Sequence, residues 1–490
     1  MSKKNRPVYV DDRSIPLTAY MGPRRGGKRF WYGKYGEHPN DPAEGYPSFF
    51  TDQVFEDYKN AGLTFLMPEG DAYFMQNINP ETGLEPATDF VGSDLYRFMQ
   101  MAEKHGLEVY PTDERIFGEM THKDGPFDDN ERAIIRTFVE TLQQHFPRSF
   151  AGLMLTDEPG IASVGRVKKI VEYLNSEEIR SIKPDLKIFS SMLPNYARLE
   201  AYQAGYIYPD NAKLVELNDE RAKIYTNYTL ACADAVGEFC FDYYALGEKG
   251  RLSPGFYQNL ELAARAGRDK GFPISVTLQS FRMDVKYRDE KKVIVIFRAP
   301  NYEDIRWQVY SALAFGVRSI GWVTFWQHYS EGVERFPEAM VVYDPSEPCG
   351  YRKTGIYEAV KKIHEEIKAM DHVFLRFNWK GCKKLCFSRD RNIRLLNADY
   401  TGGSLTKLTA DNDTLVGCFE NPEDGAEGYW VVNARNPYQF QLDRVSLQFA
   451  DADRAVIYRK GIEQDVELVD GCLKLQLGCG EGVFVIPYHS

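Results

Sequence analysis

Leu153-Met154-Leu155-Thr156-Asp157-Glu158-Pro159 joins a short apolar run to two acids and a proline. An apolar run of this length reads as a buried strand. Pro159 has no N–H to donate and ends the ladder. Asp157 and Glu158 therefore stand at the strand's carboxyl end, where parallel α/β proteins place their ligands. Taken alone, the same residues also fit a helix cap and a solvated surface acid, so the neighbouring segments decide.

Working outward, the same unit recurs. Strands are expected at 15–21, 64–67, 107–110, 150–156, 187–192, 238–241, 274–278 and 319–325. Each ends at polar or turn residues. Helical patterns fall between and after them, at 51–60, 93–105, 128–145, 166–182, 219–235, 256–269, 303–315 and 354–370. Strands alternating with helices predict a parallel sheet, and eight such units predict a closed (β/α)8 TIM barrel. The repeats are longer than a minimal unit, so the loops on the carboxyl face are enlarged. After about residue 372 the texture changes to short β-rich runs between turn clusters such as Pro422-Glu423-Asp424-Gly425. The class is thus α/β, a barrel over 1–372 followed by an all-β sandwich over 373–490.

Composition bounds the function. The 490 residues carry 60 basic and 71 acidic side chains, a net charge of −11. An acidic chain of this kind is a poor nucleic-acid binder. No window has the length and apolarity of a membrane span, and no leader follows the basic N-terminus. The eight cysteines are scattered, with no C-x-x-C pair, which points to a reducing, cytoplasmic setting. A leader removed in processing stays open. The histidines are dispersed, so neither a metal nor another cofactor is expected. A homo-oligomer is compatible with the sequence and not required by it.

The strand ends supply a set of polar groups that should converge: Glu69, Asp113, Asp157, Glu158, Asn195, Asp242, Gln279 and His328. Aromatic residues accompany them, among them Tyr196, Tyr243, Tyr244 and Trp326. Carboxylates among aromatic faces suit cleavage of glycosidic bonds. One acid protonates the leaving oxygen and a second acts as nucleophile or as base for water. No Gly-rich dinucleotide loop and no serine nucleophile elbow is present.

At this point the sequence resembles a family. Thr156-Asp157-Glu158-Pro159 looks like the strand-four motif of (β/α)8 glycoside hydrolases of the clan A type. The nearer resemblance is to bacterial proteins related to the family 42 β-galactosidases. It is carried by Asp157-Glu158-Pro159-Gly160, Leu193-Pro194-Asn195-Tyr196, Phe241-Asp242-Tyr243-Tyr244, Leu278-Gln279-Ser280 and the run from Arg306 to Gly316. The resemblance implies a carbohydrate substrate and makes Glu158 the general acid. It also implies a nucleophilic Glu at the end of strand seven, where this chain has Gln279. Asp242 is then the first choice for the second carboxylate. The alternative is a carbohydrate-binding protein that no longer hydrolyses, and a scaffold role is a third reading.

For the remaining residues the expectation is ligand contact by Glu69, Asp113, Asp157, Asn195, Tyr243, Gln279, Trp326 and His328. Strands four and six have one strand between them. At about 4.8 Å per strand, the two carboxyls are expected roughly 6–9 Å apart, a spacing that favours inversion.

Overall fold

The computed structural model describes residues 6–9, 12–25, 48–68, 74–79, 83–121, 125–197, 202, 219–253, 255–286, 293–327, 334–387, 393, 395 and 399–490. Among these residues, eight short strands alternate with eight helices. The strands are β1 (Thr18–Ala19), β2 (Phe65–Leu66), β3 (Glu108–Val109), β4 (Gly152–Asp157), β5 (Lys187–Met192), β6 (Phe239–Tyr243), β7 (Ile274–Gln279) and β8 (Ser319–Val323). The helices that follow them are α1 (Asp52–Asn60), α2 (Asp94–His105), α3 (Asp129–His145), α4 (Ile161–Leu174), α5 (Asp219–Val236), α6 (Phe256–Lys270), α7 (Tyr302–Ala314) and α8 (Gly355–Lys368).

Local chemistry sets the helix ends. Asp128 and Glu131 form a reciprocal capping box at the start of α3, and Asn301 and Asp304 form another at α7. Gly106 and Gly271 close α2 and α6 in the left-handed conformation, which glycine adopts without strain.

Strands β8-β7-β6-β5-β4 form one parallel sheet and β1-β2-β3 another. Parallel bridges connect their edges at both ends, Leu17 with Ile320 and Val109 with Phe150. Tyr20 N–H donates to Trp322 O at 2.8 Å at one junction, and Val109 N–H to Ser149 O at 2.7 Å at the other. The curled sheet encloses a cluster of large side chains: Tyr20, Phe65, Tyr110, Met154, Phe189 and Cys240. Its outer face packs on the helices through a separate, larger core.

The segment between β7 and α7 contains strands of its own. Arg282–Lys286 pairs antiparallel with Val293–Phe297 and with Glu334–Glu338 from beyond β8. The Val293-Ile294-Val295-Ile296-Phe297 run carries strong β propensity, which explains the extra layer.

Among the described residues, nine antiparallel strands follow: β9 (Asn378–Leu385), β10 (Leu405–Ala410), β11 (Thr414–Glu420), β12 (Glu427–Asn433), β13 (Asp443–Phe449), β14 (Arg454–Arg459), β15 (Ile462–Glu467), β16 (Cys472–Leu477) and β17 (Gly482–Tyr488). A six-stranded sheet runs β9-β11-β12-β17-β14-β15 and a three-stranded sheet runs β10-β13-β16. Their facing sides share one apolar cluster containing Val416, Val431, Val485, Leu447 and Leu475. The other face of the larger sheet, with Phe419, Trp430 and Phe484, joins the core that covers the helices. The approach is close. A Cβ at Gly417 would lie 2.0 Å from the Ala314 carbonyl oxygen at the end of α7. Among the described residues no helix is long and apolar enough to cross a membrane.

Candidate active site

The site begins with an irregularity in β4. Its register against β5 shifts between Met154 and Thr156, so that Met154 pairs with Phe189 and Asp157 with Ser191. A one-residue slip exchanges the faces of a strand. Met154 thereby stays in the enclosed cluster, while Asp157 shares a face with Ser191. Glu158 follows with φ +43°, a left-handed conformation in a residue that has a side chain. Such a backbone costs about 1–2 kcal/mol and persists only where the surroundings impose it. Here Glu158 N–H donates to Ser191 O at 2.8 Å.

Alternation along β6 puts Asp242 on the same face as Cys240, which lies in the enclosed cluster. The Glu158 and Asp242 carboxyls lie near enough that Glu158 lowers the pKa of Asp242.

Asp242 is 8% exposed, and its Oδ1 makes no hydrogen bond within the protein. Burial pushes its carboxyl up to about 6, against the neighbouring Tyr244 hydroxyl and Glu158, which lower it. Tyr244 stands two residues along the same strand direction, and burial, followed by Asp242, raises its hydroxyl in turn. Burial, followed by the charges of Asp242 and Glu158, raises the Tyr196 hydroxyl far above the ordinary tyrosine range. Tyr228 fixes the two turns beneath. Its hydroxyl donates to Pro159 O at 2.8 Å and accepts from Leu193 N–H at 3.2 Å. The Tyr244 ring is held in turn by Phe281 and Phe297, at centroid distances of 5.0 and 5.8 Å.

Glu158, Asp242, Tyr196 and Tyr244 thus come together. The other sequence candidates sit differently. Asp157 lies next to the pair, and the buried Cys240 thiol feels both Asp157 and Asp242. Asp113 is 2% exposed and held by the Arg115 guanidinium, with Nε to Oδ1 at 3.0 Å and Nη2 to Oδ2 at 2.6 Å. It also accepts Arg115 N–H and so orders the turn after β3. Asn195 donates Nδ2–H to Gly255 O at 3.1 Å and fixes the loop before α6. Tyr243 is fully buried on the opposite face of β6, against Phe256, with its hydroxyl 2.7 Å from Ser253 Oγ. Trp326 is also fully buried and stacks on Phe49 at 4.1 Å. Neither ring presents a face to a sugar. Strand alternation explains Tyr243, and the bridge from Trp326 to Val341 draws Trp326 under a hairpin. Glu69 and His328 lie outside the described residues.

Gln279 departs most informatively. Its Oε1 accepts Leu246 N–H at 2.9 Å, and its Nε2 donates to Arg298 O at 2.9 Å and Phe281 O at 3.2 Å. The amide ties the loops after β6 and β7 together. A carboxylate at this position would face carbonyl oxygens with nothing to donate. The residue whose role was not foreseen is Tyr244, whose hydroxyl lies beside Asp242 and lowers its pKa. Its signal in the sequence is the two-residue spacing that puts both on one face of a strand. Among the described residues, no group of three or more His, Cys, Asp or Glu side chains is arranged to hold a metal ion.

No family model matches the chain, and no curated protein does. Among solved structures it is similar to an α-amylase from Anoxybacillus, at 10% identity over 97% of this chain and 98% of that one, with a TM-score of 0.48. It is similar also to a glycoside hydrolase at 12% identity, over 95% of this chain and 97% of that one, TM-score 0.47. A third likeness is to a GH27 β-L-arabinopyranosidase from Geobacillus stearothermophilus, at 10% identity over 97% of both chains, TM-score 0.45. At these values each is a likeness in the course of the chain. The chemistry of the site rests on its own residues.

Proposed function

We propose that this chain is a glycoside hydrolase, with Glu158 as general acid and base and Asp242 as nucleophile. The observation that carries the reading is the nearness of two acids at the carboxyl ends of β4 and β6, with Asp242 buried and its carboxyl raised to about 6. Retaining glycosidases set their carboxyls about 5–5.5 Å apart and inverting ones about 6.5–9.5 Å, to admit a water. The direct influence of Glu158 on Asp242 fits the shorter class.

In this mechanism the Asp242 carboxylate attacks the anomeric carbon as the glycosidic oxygen leaves with the proton from Glu158. Glu158, now ionised, takes a proton from water. That water attacks the anomeric carbon and releases Asp242. Tyr244 stabilises the Asp242 anion before attack.

The scaffold we infer is a closed (β/α)8 barrel over about 1–372 with a β-sandwich over about 373–490. The bridges at both edges of the parallel sheets support closure, and the shared apolar cluster between the two antiparallel sheets supports the sandwich. A kinship with the family 42 β-galactosidases remains part of this proposal, and the substrate we infer is a small glycan or oligosaccharide. The test is a panel of nitrophenyl glycosides with Glu158→Gln and Asp242→Asn beside the wild type. Turnover by the wild type that is lost in Asp242→Asn supports the assignment.

A second reading is favoured by one observation, the loop-holding role of Gln279 where a nucleophilic Glu is implied by the resemblance. On that reading the barrel binds carbohydrate without cleaving it. Saturable glycan binding with no turnover of any glycoside would establish it.

A further inference from the structure

Three large aromatic side chains are more than half exposed among the described residues: Phe387 at 59%, Tyr438 at 52% and Phe440 at 61%. All three lie around one edge of the C-terminal sheets. Phe387 N–H donates to Asp413 Oδ1 at 2.5 Å, and Asp413 O accepts Ala434 N–H at 2.8 Å, just before the turn that carries the other two. Leu442, 57% exposed, extends the patch, and its carbonyl accepts Asn412 Nδ2–H at 2.5 Å. We propose that this edge binds the outer sugar units of an oligosaccharide whose reacting end occupies the Glu158–Asp242 site. The proposal rests on the glycoside hydrolase reading above.

Position is the first argument. Asn436 Nδ2–H donates to Gly250 O at 2.7 Å, in the loop that leaves β6 just after Asp242. A Cβ at Gly250 would lie 2.3 Å from the Tyr438 ring, so the turn and the loop touch through a residue that has no side chain. The Arg298 guanidinium stands 5.4 Å from the Tyr438 ring centre. Arg298 belongs to the loop after β7 and pairs with Asp304 in the first turn of α7. Helix N-termini that follow parallel strands lie at the carboxyl ends of those strands, the end that carries Glu158 and Asp242. The aromatic edge is therefore continuous with the two loops that Gln279 ties together beside the candidate site.

The second argument is chemical. The turn reads Tyr438-Gln439-Phe440-Gln441-Leu442, and all five residues are exposed. Rings alternate with amides, so the surface is apolar in patches and hydrogen-bonding between them. A protein partner of an apolar patch wants a contiguous dry area. A sugar offers C–H faces to rings and hydroxyls to amides, which matches the alternation. Phe440 adds a third observation. It has φ +49° and ψ +42°, a left-handed backbone in a bulky residue. That conformation costs about 1–2 kcal/mol in a residue with a side chain. Here it holds a phenyl ring outward in water.

The experiment measures binding rather than turnover. Neutral gluco-, galacto- and xylo-oligosaccharides of increasing length, together with the parent monosaccharides, are titrated against full-length Glu158→Gln. The same titration uses Glu158→Gln carrying Phe440→Ala or Gln441→Ala, with thermal unfolding to confirm folding. The expected result is about a ten-fold loss of affinity for the longest oligosaccharide that binds, with monosaccharide affinity unchanged. Equal affinity in all three proteins, or an equal loss for monosaccharide and oligosaccharide, overturns the proposal. So does sizing that shows a dimer dissociated by Phe440→Asp, since the patch would then face a second copy of the chain. Failure of the barrel reading looks different, because wild-type protein would then neither bind nor cleave any monosaccharide glycoside.

Discussion

Replacing Tyr244 by Phe removes one hydroxyl and leaves the ring that packs on Phe281 and Phe297. The hydroxyl lies beside Asp242 and holds its carboxyl down, while burial pushes it up to about 6 from an ordinary 3.8. A hydrogen bond to a charged group is worth about 1.5–3 kcal/mol, and one pKa unit corresponds to about 1.4 kcal/mol. Losing the hydroxyl destabilises the Asp242 anion and raises its pKa, by about 1–2 units where the two groups bond in the working enzyme. The nucleophile must be ionised, so the acidic limb of kcat/KM moves upward, from near 6 toward about 7–8. At pH 6 the ionised fraction falls from about one half to between about a tenth and a hundredth. The rate there should drop about 5- to 50-fold, with a far smaller loss above pH 8. The assay is kcat/KM against pH for the best nitrophenyl glycoside, wild type beside Tyr244→Phe. The limb belongs to the Glu158–Asp242 pair as a unit, and its displacement is the readout. An acidic limb that stays in place, or moves downward, refutes the role given to Tyr244.

His364 is fully buried between Trp322 Nε1–H, donating to its Nε2 at 2.9 Å, and Ala61 O, 2.7 Å from its Nδ1. Burial lowers its pKa from 6.5 to about 3, so between those values the unfolded chain takes up a proton that the folded chain refuses. Stability from this group is present above pH 6.5 and is lost as pH falls toward 3, by about 2 kcal/mol at pH 5. Urea midpoints at pH 5 and 7.5 should show that slope, and His364→Gln should flatten it. Gln279→Glu should lower stability by about 3 kcal/mol or more, because the Leu246, Phe281 and Arg298 carbonyls lose their shared donor to a buried carboxylate. It should also create no new activity, and an active, fully stable Gln279→Glu would count against the loop-holding role. Dialysis against a chelator should leave turnover unchanged. A loss restored by a divalent ion would contradict the carboxylate mechanism.

The strand–helix alternation was legible because apolar runs and caps are local signals. Lys187–Met192 and Asp129–His145 coincide with the expected segments to within a residue. Leu405–Ala410 and Ile462–Glu467 are strands that no apolar run marks in the sequence. Both are largely exposed, so their sequences lack the apolar half of the alternation. That Glu158 and Asp242 come near one another was legible from strand ends, while the register slip in β4 and the left-handed turn at Glu158 were not, because strand spacing alone does not encode them. Tyr243 and Trp326 read as sugar platforms because aromatics at strand ends look alike in sequence. Their burial follows from which face of β6 points outward, and from the hairpin at Val341–Tyr343 and Tyr351–Lys353 that covers Trp326. Gln279 looked like a lost nucleophile, and its amide is what the loop carbonyls require.

The most direct test of the central claim is to trap the covalent intermediate. A fluorosugar inactivator, matched to the best glycoside of the panel, is incubated with the wild-type protein and followed by intact-protein mass spectrometry and peptide mapping. The account predicts a mass gain of one fluorosugar, an ester on Asp242, and no adduct in Asp242→Asn. An adduct on a different carboxylate, or turnover of the parent glycoside with inverted anomeric configuration and no adduct, would contradict it.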